Sequence, residues 1–258
     1  MAAPPMSRDS MVLRVDGRRN DELRSVTFQR NFTRYAEGAV LASFGETRVL
    51  CTATVEEKVP SFLRGSGRGW VTAEYSMLPR STSVRVSRST SRGGPDGRST
   101  EIQRLVGRSL RACVDMESLG ERTIILDCDV LQADGGTRTA AVSGGFVALF
   151  DALRHLKKQG VFPVLPLRFF LSAVSVGLVA GSPLLDLCYR EDSAAEVDMN
   201  VVMNHRGEYV EIQGTGEGSV FTGSDLSGLL LLAAVGTLEI IEFQKEALGI
   251  EDGETAFS

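Results

Sequence analysis

The sequence comprises 258 residues, of which 43% are hydrophobic and 24% are charged, and its formal net charge is −5. A chain of this length and composition can bury a substantial core, either as one large domain or as two fused halves. The four cysteines are scattered and have no Cys-x-x-Cys spacing, which argues against a disulfide framework and a zinc site and is typical of buried thiols in a reduced cytoplasm.

We expect a cytoplasmic protein that does not bind membranes. Residues 1–10 have neither the basic nor the apolar region of a signal peptide. The longest apolar run, from Leu229 to Val235, is too short to cross a bilayer. We expect residues 1–10 to form a disordered N-terminal extension.

Charge is unevenly distributed along the chain. From Asp186 to the C-terminus there are 15 acidic and 3 basic residues, a net charge of −12, whereas the first 185 residues carry +7. An acidic total discourages a nucleic-acid ligand, but a local stripe of arginines can bind phosphates whatever the total charge is.

The first part of the chain has the composition of strands, because β-branched and aromatic residues recur between glycines and charged residues. The predicted strands are Val26–Arg30, Ala39–Phe44, Arg48–Val55 and Trp70–Met77.

The polar segment from Arg80 to Arg98 follows and is predicted to be a mobile loop. It carries +4 over 19 residues, and its arginines are Arg80, Arg85, Arg88, Arg92 and Arg98. Such a stripe either contacts the phosphate backbone of a nucleic acid or is simply a solvated loop.

A helix is predicted to begin at Thr100, which forms a capping-box pattern with Gln103, and to stop near Gly120. Its apolar face consists of Ile102, Leu105, Val106, Leu110 and Cys113. Arg98 would then lie just ahead of the helix start, where the helix dipole disfavours a cation.

A second glycine-containing turn follows the predicted strand Thr123–Leu131 and opens a long helix that runs to about Gly160. This turn reads Gly135-Gly136-Thr137-Arg138-Thr139. A helix N-terminus suits an anion, and a bound anion would explain Arg138 in the first turn. Two arginines so placed would hold a phosphate dianion well. The alternative is a plain glycine turn with Arg138 directed to solvent.

The last third of the sequence predicts four strands and a C-terminal helix. The strands are Phe169–Val179, Leu184–Tyr189, Val197–Met203 and Tyr209–Gln213, and the helix runs from Ser224 to Leu248 and stops at Gly249. The order of strands and helices predicts a mixed α/β layer architecture rather than a regular doubly wound sheet.

Three carboxylates form a further candidate site: Asp192, Glu196 and Asp198. In the strand around Asp198, residue Asn200 shares its face, and a turn could bring Asp192 alongside. Paired carboxylates suit Mg²⁺ or acid/base work, and the alternative is a solvated acidic turn. The two histidines, His155 and His205, have no nucleophile or carboxylate near them in sequence, which disfavours a histidine mechanism.

Taken together, these stretches resemble bacterial ribonuclease PH over nearly the whole chain, from Arg14 to about Leu248. Eight motifs in the family's order carry the resemblance. They are Asp16-Gly17-Arg18, Phe44 to Ala53, Gly69 to Tyr75, Met77 to Arg80, Glu101 to Leu105, Asp127 to Thr139, Glu191 to Glu196 and Val210 to Thr215.

The resemblance implies a ribonuclease PH-like fold with mixed sheets and packed helices, spanning residues 11–248 and followed by a flexible tail at 249–258. It implies a cytoplasmic phosphorolytic 3′→5′ exoribonuclease, or tRNA nucleotidyltransferase, that trims tRNA precursors and releases nucleoside diphosphates. It also implies a homohexameric ring built as a trimer of dimers.

The resemblance further implies a role for each candidate residue. Arg98, Gly136, Thr137 and Arg138 hold inorganic phosphate, the co-substrate. Asp192 and Asp198 are metal-binding or catalytic carboxylates, with Mg²⁺ as the expected ion. Arg80, Arg85 and Arg88 grip RNA at the site of a neighbouring subunit.

The arginine-rich loop departs from the family pattern. Relatives usually carry a histidine and further charged residues where residues 81–88 read Ser-Thr-Ser-Val-Arg-Val-Ser-Arg, and the family's Lys-Gln-Gly-Gly-Arg is Gly94-Pro95-Asp96-Gly97-Arg98 here. Two other functions stay open. One is a hydrolytic metal-dependent exonuclease, and the other is an RNA-binding ring subunit without catalysis, as found in exosome rings.

Overall fold

The fold of the protein, a computed structural model, is described for residues 14–88, 94 and 96–250. A first sheet contains five strands in the order β1-β2-β3-β5-β4. Its strands are β1 (Val26–Arg30), β2 (Gly38–Phe44), β3 (Thr47–Glu56), β4 (Trp70–Met77) and β5 (Thr123–Gln132). All neighbours in this sheet are antiparallel except β4 and β5, which are parallel.

A second sheet contains four antiparallel strands in the order β7-β6-β8-β9. Its strands are β6 (Leu171–Val179), β7 (Ser182–Leu185), β8 (Val197–Asn204) and β9 (Tyr209–Gly216). The helices are α1 (Gly97–Cys113), α2 (Met116–Leu119), α3 (Thr137–Lys158), α4 (Tyr189–Asp192) and α5 (Gly223–Leu248), with a 3₁₀ turn at Ser61–Leu63. This mixed α/β arrangement confirms the predicted fold class.

Helix α3 is the central element of the core, because it packs on β2 and β3 of the first sheet and on β6 of the second. Small residues allow the close approach. A Cβ atom added at Gly144 would lie 2.6 Å from Cβ of Ala42 and 2.9 Å from Sγ of Cys51. Gly144 therefore allows α3 to pack closely against the first sheet.

Helix α5 covers the second sheet and contributes Leu229, Ala233, Ile240, Ile241 and Leu248 to the core. By length and composition this 26-residue helix could also span a membrane. The apolar part of this helix is therefore longer than the run from Leu229 to Val235 that the sequence analysis considered. The apolar character is explained in part by burial against the sheet.

Several predicted boundaries differ from the structure, and the largest differences concern α1 and β7. Helix α1 begins at Gly97 rather than Thr100, because the Asp96 carboxylate accepts the amide N–H of Ser99 at 2.7 Å and caps the helix. The helix also ends at Cys113, and Asp115 caps the separate helix α2.

The strand predicted at Leu184–Tyr189 is wrong beyond Leu185. Strand β7 ends at Leu185, and Tyr189 opens helix α4.

The expected N-terminal extension at residues 1–10 and most of the expected C-terminal tail, residues 251–258, lie outside the described residues. Gly249 adopts a left-handed conformation (φ 66°) and ends α5, as predicted, and Ile250 packs in the core. The four cysteines are free and buried, which agrees with the expectation of buried thiols.

Candidate active site

A cavity of about 660 Å³ lies where the N-termini of α1 and α3 meet the second sheet and α4. Its wall brings together six of the predicted site residues. They are Arg98, Gly136, Thr137, Arg138, Asp192 and Asp198. The predicted phosphate-binding and carboxylate sites are thus two sides of one cavity, and their chemical roles stay a prediction at this point.

The glycine turn presents the N-terminus of α3 to the cavity. Gly136 is the N-cap residue and has φ 65°, a left-handed conformation that glycine adopts without strain. No side chain of the described residues caps this end of the helix. The first amide N–H groups of α3 are therefore available to an anion in the cavity.

Two side chains hold the carbonyl groups of the turn away from the cavity. Thr47 donates its hydroxyl to the carbonyl oxygen of Gly135 at 2.7 Å, and it accepts the amide N–H of Asp134 at 2.9 Å. Arg24 donates to the carbonyl oxygen of Asp134 at 2.5 Å. The turn therefore faces the cavity with donors rather than acceptors, which suits an oxyanion.

A buried group of charges, the Asp186 cluster, lies behind this turn. It consists of Arg14, Arg18, Arg24, Asp186 and Glu191. Arg24 and Arg14 form bidentate pairs, Arg24 with Asp186 at 2.6 and 2.9 Å and Arg14 with Glu191 at 2.7 and 2.8 Å. The Arg14 guanidinium holds the pKa of Glu191 below its usual value, although burial alone would raise it.

The Asp186 cluster connects the two sides of the cavity. Arg24 binds the turn before α3, while Glu191 belongs to α4, the helix that ends at Asp192. Asp134 strengthens this connection, because its carboxylate accepts the amide N–H of Tyr189 at 3.3 Å. Asp186 itself has φ 53°, an uncommon conformation for a residue with a side chain. These contacts fix the glycine turn relative to Asp192.

Arg138 is held in place by two neighbouring elements. Its guanidinium lies 3.8 Å from the carboxylate of Glu101 on α1 and 3.5 Å from the side-chain oxygen of Gln213 on β9. The Gln213 amide is oriented by Glu211, to which its Nε2 donates at 3.2 Å. Arg108 of α1 in turn donates to Glu211 at 2.9 Å. Arg138 is only 18% exposed, so this network orients a largely buried cation.

Arg98 lies in the first turn of α1 rather than ahead of it, and its side chain is exposed. It has no ion pair within the described part of the chain. Its charge nevertheless acts on the cavity. Burial raises the pKa values of Asp192 and Asp198, and the positive charges of Arg98 and Arg138 both oppose this rise. Both arginines therefore direct positive charge at the same space, as an anion site requires.

The two carboxylates come from different elements. Asp192 is the last residue of α4, and Asp198 is on β8, where the Asn200 amide donates to it at 3.4 Å. Burial and, to a smaller extent, the neighbouring charge of Asp192 together raise the pKa of Asp198 to about 6. Burial also raises the pKa of Asp192, against the lowering effect of both arginines. A carboxyl group with a pKa near 6 can exchange a proton at physiological pH.

These carboxylates fit a Mg²⁺ ion that is shared with substrate. Mg²⁺ is commonly bound through one or two carboxylates together with substrate phosphates and water. A cation beside Asp192 and Asp198 would remove their mutual repulsion. Within the described residues, no group of three or more His, Cys, Asp or Glu side chains could hold a metal. A metal ion held by Asp192 and Asp198 would therefore need further oxygen ligands.

We predict that Asp198→Asn stabilises the protein in chelator and without phosphate. The pKa of Asp198 in the folded protein, about 6, exceeds its ordinary value of 3.8. The protonated carboxyl group therefore contributes stability that is fully present below pH 3.8 and is lost as the pH rises through 6. Ionised Asp198 then costs up to about 3 kcal/mol. The variant should melt several degrees higher at pH 8 and almost unchanged at pH 4. Asp21→Asn, at an exposed carboxylate outside the cavity, is the control, and an equal gain at both pH values would contradict the prediction.

The three arginines predicted to bind RNA lie beside the cavity rather than in its wall. Arg80, Arg85 and Arg88 are exposed, and within the described residues none of them forms an ion pair. The same segment does line the cavity, through Thr82, Ser83 and Val86. Arg92 lies outside the described residues. The positions leave these cations free to contact a ligand that extends out of the cavity.

Several lining residues were not among those predicted, including the polar residues Ser175, Tyr189, Asn200 and Glu217. Asn200 could have been found, since it shares a strand face with Asp198. Ser175 lies opposite Asn200 in the register of β6 and β8, and this pairing is not visible in the sequence.

Comparison with known proteins agrees with the architecture. Residues 22–154 match domain 1 of the 3′ exoribonuclease family of ribonuclease PH, and residues 170–236 match its domain 2. Rice (Oryza sativa) Rrp46 has the same fold, with a TM-score of 0.75 and 17% identity over 91% of this chain and 100% of that chain.

Two archaeal structures share the fold as well. One is an Archaeoglobus fulgidus exosome with RNA bound to the active site (TM-score 0.76, 23% identity, 89% of this chain and 91% of that chain). The other is an archaeal exosome core (TM-score 0.74, 22% identity, 90% of this chain and 91% of that chain). With both domains matched in order along one chain, the protein belongs to the ribonuclease PH family of 3′ exoribonucleases.

Proposed function

We propose that this protein is a phosphate-dependent 3′→5′ exoribonuclease of the ribonuclease PH type. The observation that carries the proposal is the cavity, in which two arginines and a free helix N-terminus face two carboxylates. The first group supplies donors and positive charge for inorganic phosphate, and the second supplies acid or metal-binding groups. A phosphoryl-transfer reaction needs both.

The proposed reaction transfers the terminal nucleotide of RNA to phosphate. An oxygen of inorganic phosphate attacks the phosphorus of the last phosphodiester, and the bond from that phosphorus to the 3′ oxygen of the preceding ribose breaks. The products are a nucleoside diphosphate and an RNA shortened by one nucleotide, whose 3′ oxygen takes up a proton. Arg98 and Arg138 orient the attacking phosphate and reduce the charge repulsion with the RNA backbone.

Two roles are open to Asp198. With a pKa raised to about 6, it can protonate the leaving 3′ oxygen. In its ionised form it can instead hold Mg²⁺ together with Asp192. When bound, Mg²⁺ offsets the negative charge that gathers on the transferred phosphoryl group.

The 3′ ends of tRNA precursors are the proposed substrates, in the cytoplasm. The exposed Arg80, Arg85 and Arg88 would hold the RNA backbone without reading its sequence. The fold shared with archaeal exosome cores supports a hexameric ring, proposed here as a trimer of dimers. In such a ring these arginines would act at a neighbouring subunit.

A second candidate is an RNA-binding ring subunit without catalysis. The observation that favours it is that an Rrp46 protein and two archaeal exosome structures are among the solved structures that share this fold. The catalytic proposal has the stronger support from the site, because both arginines and both carboxylates are retained in one cavity.

A product analysis separates these functions. Purified protein is incubated with a short 3′-labelled RNA and Mg²⁺, with and without inorganic phosphate, and the products are identified by chromatography. We expect nucleoside diphosphates, formed only when phosphate is present. Monophosphates without phosphate would indicate a hydrolytic nuclease. RNA that is bound but never shortened would indicate the silent subunit.

A further inference from the structure

A buried tyrosine lies directly behind the proposed phosphate site. Tyr75 is on β4, and its hydroxyl donates to Oγ1 of Thr137 at 2.9 Å. Tyr75 is 3% exposed and does not line the cavity, whereas Thr137 is the first residue of α3 and does line it. Burial raises the pKa of Tyr75, so the hydroxyl keeps its proton at neutral pH.

The hydrogen bond determines what the Thr137 hydroxyl can do. A threonine hydroxyl has one proton to donate and two lone pairs that accept. Tyr75 occupies a lone pair, so the Thr137 proton stays available for another acceptor. The carbonyl oxygens of the preceding turn are already engaged, Asp134 by Arg24 and Gly135 by Thr47. Because Thr137 lines the cavity, an anion there can accept this proton.

Thr139, two residues further along α3, shows the contrasting arrangement. Its hydroxyl donates to the carbonyl oxygen of Gly136 at 2.9 Å, the local bond that threonine commonly forms in a helix. The hydroxyl proton of Thr139 is therefore already engaged in a hydrogen bond within the turn. Thr137 differs because a buried donor from another strand holds its oxygen.

We propose that Tyr75 is a positioning residue that fixes the Thr137 hydroxyl as a hydrogen-bond donor to inorganic phosphate. The inference rests on the proposed function, since it assigns part of that phosphate site. A donor that itself accepts a hydrogen bond is polarised and strengthened. Tyr75 also connects β4 with the N-terminus of α3, so its hydroxyl sets the direction of the Thr137 side chain without contacting the ligand.

The test is direct binding of inorganic phosphate, measured by calorimetry without RNA. Tyr75→Phe removes one oxygen and keeps the ring, and we expect phosphate to bind about three- to tenfold more weakly, the effect of one net hydrogen bond. Thr137→Val should weaken binding by about tenfold. Adding Tyr75→Phe to Thr137→Val should change affinity by less than about twofold, since both variants remove one coupled donor.

The matched control is Tyr209→Phe, at a half-exposed tyrosine of β9 outside the cavity, and it should bind phosphate like the wild type. In turnover, Tyr75→Phe should raise the KM for phosphate and leave the KM for RNA unchanged. Independent, additive effects of Tyr75→Phe and Thr137→Val would overturn the inference. So would wild-type affinity in Tyr75→Phe while Arg138→Ala loses binding, a result that leaves the proposed function intact. A wild-type protein that does not bind phosphate at millimolar concentration would overturn both.

Discussion

Arg138→Ala is expected to reduce phosphorolysis of a short RNA by at least about 100-fold in saturating phosphate and Mg²⁺. Removing one preorganised donor to developing charge typically costs a factor of 100 to 1,000, and Arg138 is a charged donor held by Glu101 and Gln213. Initial rates of nucleoside diphosphate release, measured by chromatography, give the effect.

Stability should behave differently from activity in this variant. A cation in the first turn of a helix is unfavourable by about 0.3 to 1 kcal/mol, so its removal should leave the melting temperature unchanged or slightly higher. Arg168→Ala is the matched control, because Arg168 is 59% exposed, pairs with Asp115 and lies outside the cavity. Near-normal turnover by Arg138→Ala would contradict the proposed phosphate site.

Arg24→Ala is expected to lower the free energy of unfolding by about 3 to 5 kcal/mol. The substitution leaves the Asp186 carboxylate, which is 1% exposed, without its bidentate partner, and breaking a buried pair on one side carries a cost of this size. The Asp134 carbonyl also loses its donor. For a protein of this length the melting temperature should fall by roughly 6 to 20 °C, measured by calorimetry.

Arg19→Ala is the control for this prediction. Arg19 and Asp21 form an exposed pair, with 68% and 60% of their side chains accessible, and such pairs contribute little to stability because water solvates both charges. Equal and small losses in both variants would show that the Asp186 cluster does not stabilise the fold. If Arg24→Ala folds at low temperature, its phosphate affinity should also fall, because the turn before α3 is no longer held.

The strands of the first sheet could be predicted from the sequence almost to the residue. Val26–Arg30 and Trp70–Met77 have the predicted bounds, because each alternates or is apolar and is flanked by glycine or charged residues. The helix boundaries were less predictable. The start of α1 depends on a single side-chain contact, from Asp96 to the amide of Ser99, which competes with an equally good capping pattern at Thr100.

The candidate site, too, could be predicted only in part from the sequence. The glycine turn and the two arginines at helix starts could be recognised, because a cation at a helix N-terminus conflicts with the dipole and calls for an anion. The contacts that hold these residues could not. Arg24 and Asp186 are 162 positions apart in the chain, and Tyr75 reaches Thr137 across 62 positions. No local pattern reports such contacts, since they depend on how the two sheets pack around α3.

The position of α3 has a consequence for how the chain can be divided. All but the last turn of the helix lies within the first family domain, yet the helix packs on β6 of the second. The glycine turn before α3 belongs to one domain and both carboxylates to the other, and the Asp186 cluster joins them. A break between residues 154 and 170 would therefore leave two fragments, each with half of the proposed site and an uncovered apolar surface. A mutation in the proposed site can therefore abolish function without changing the fold. Neither domain, transferred alone to another chain, would carry a complete site.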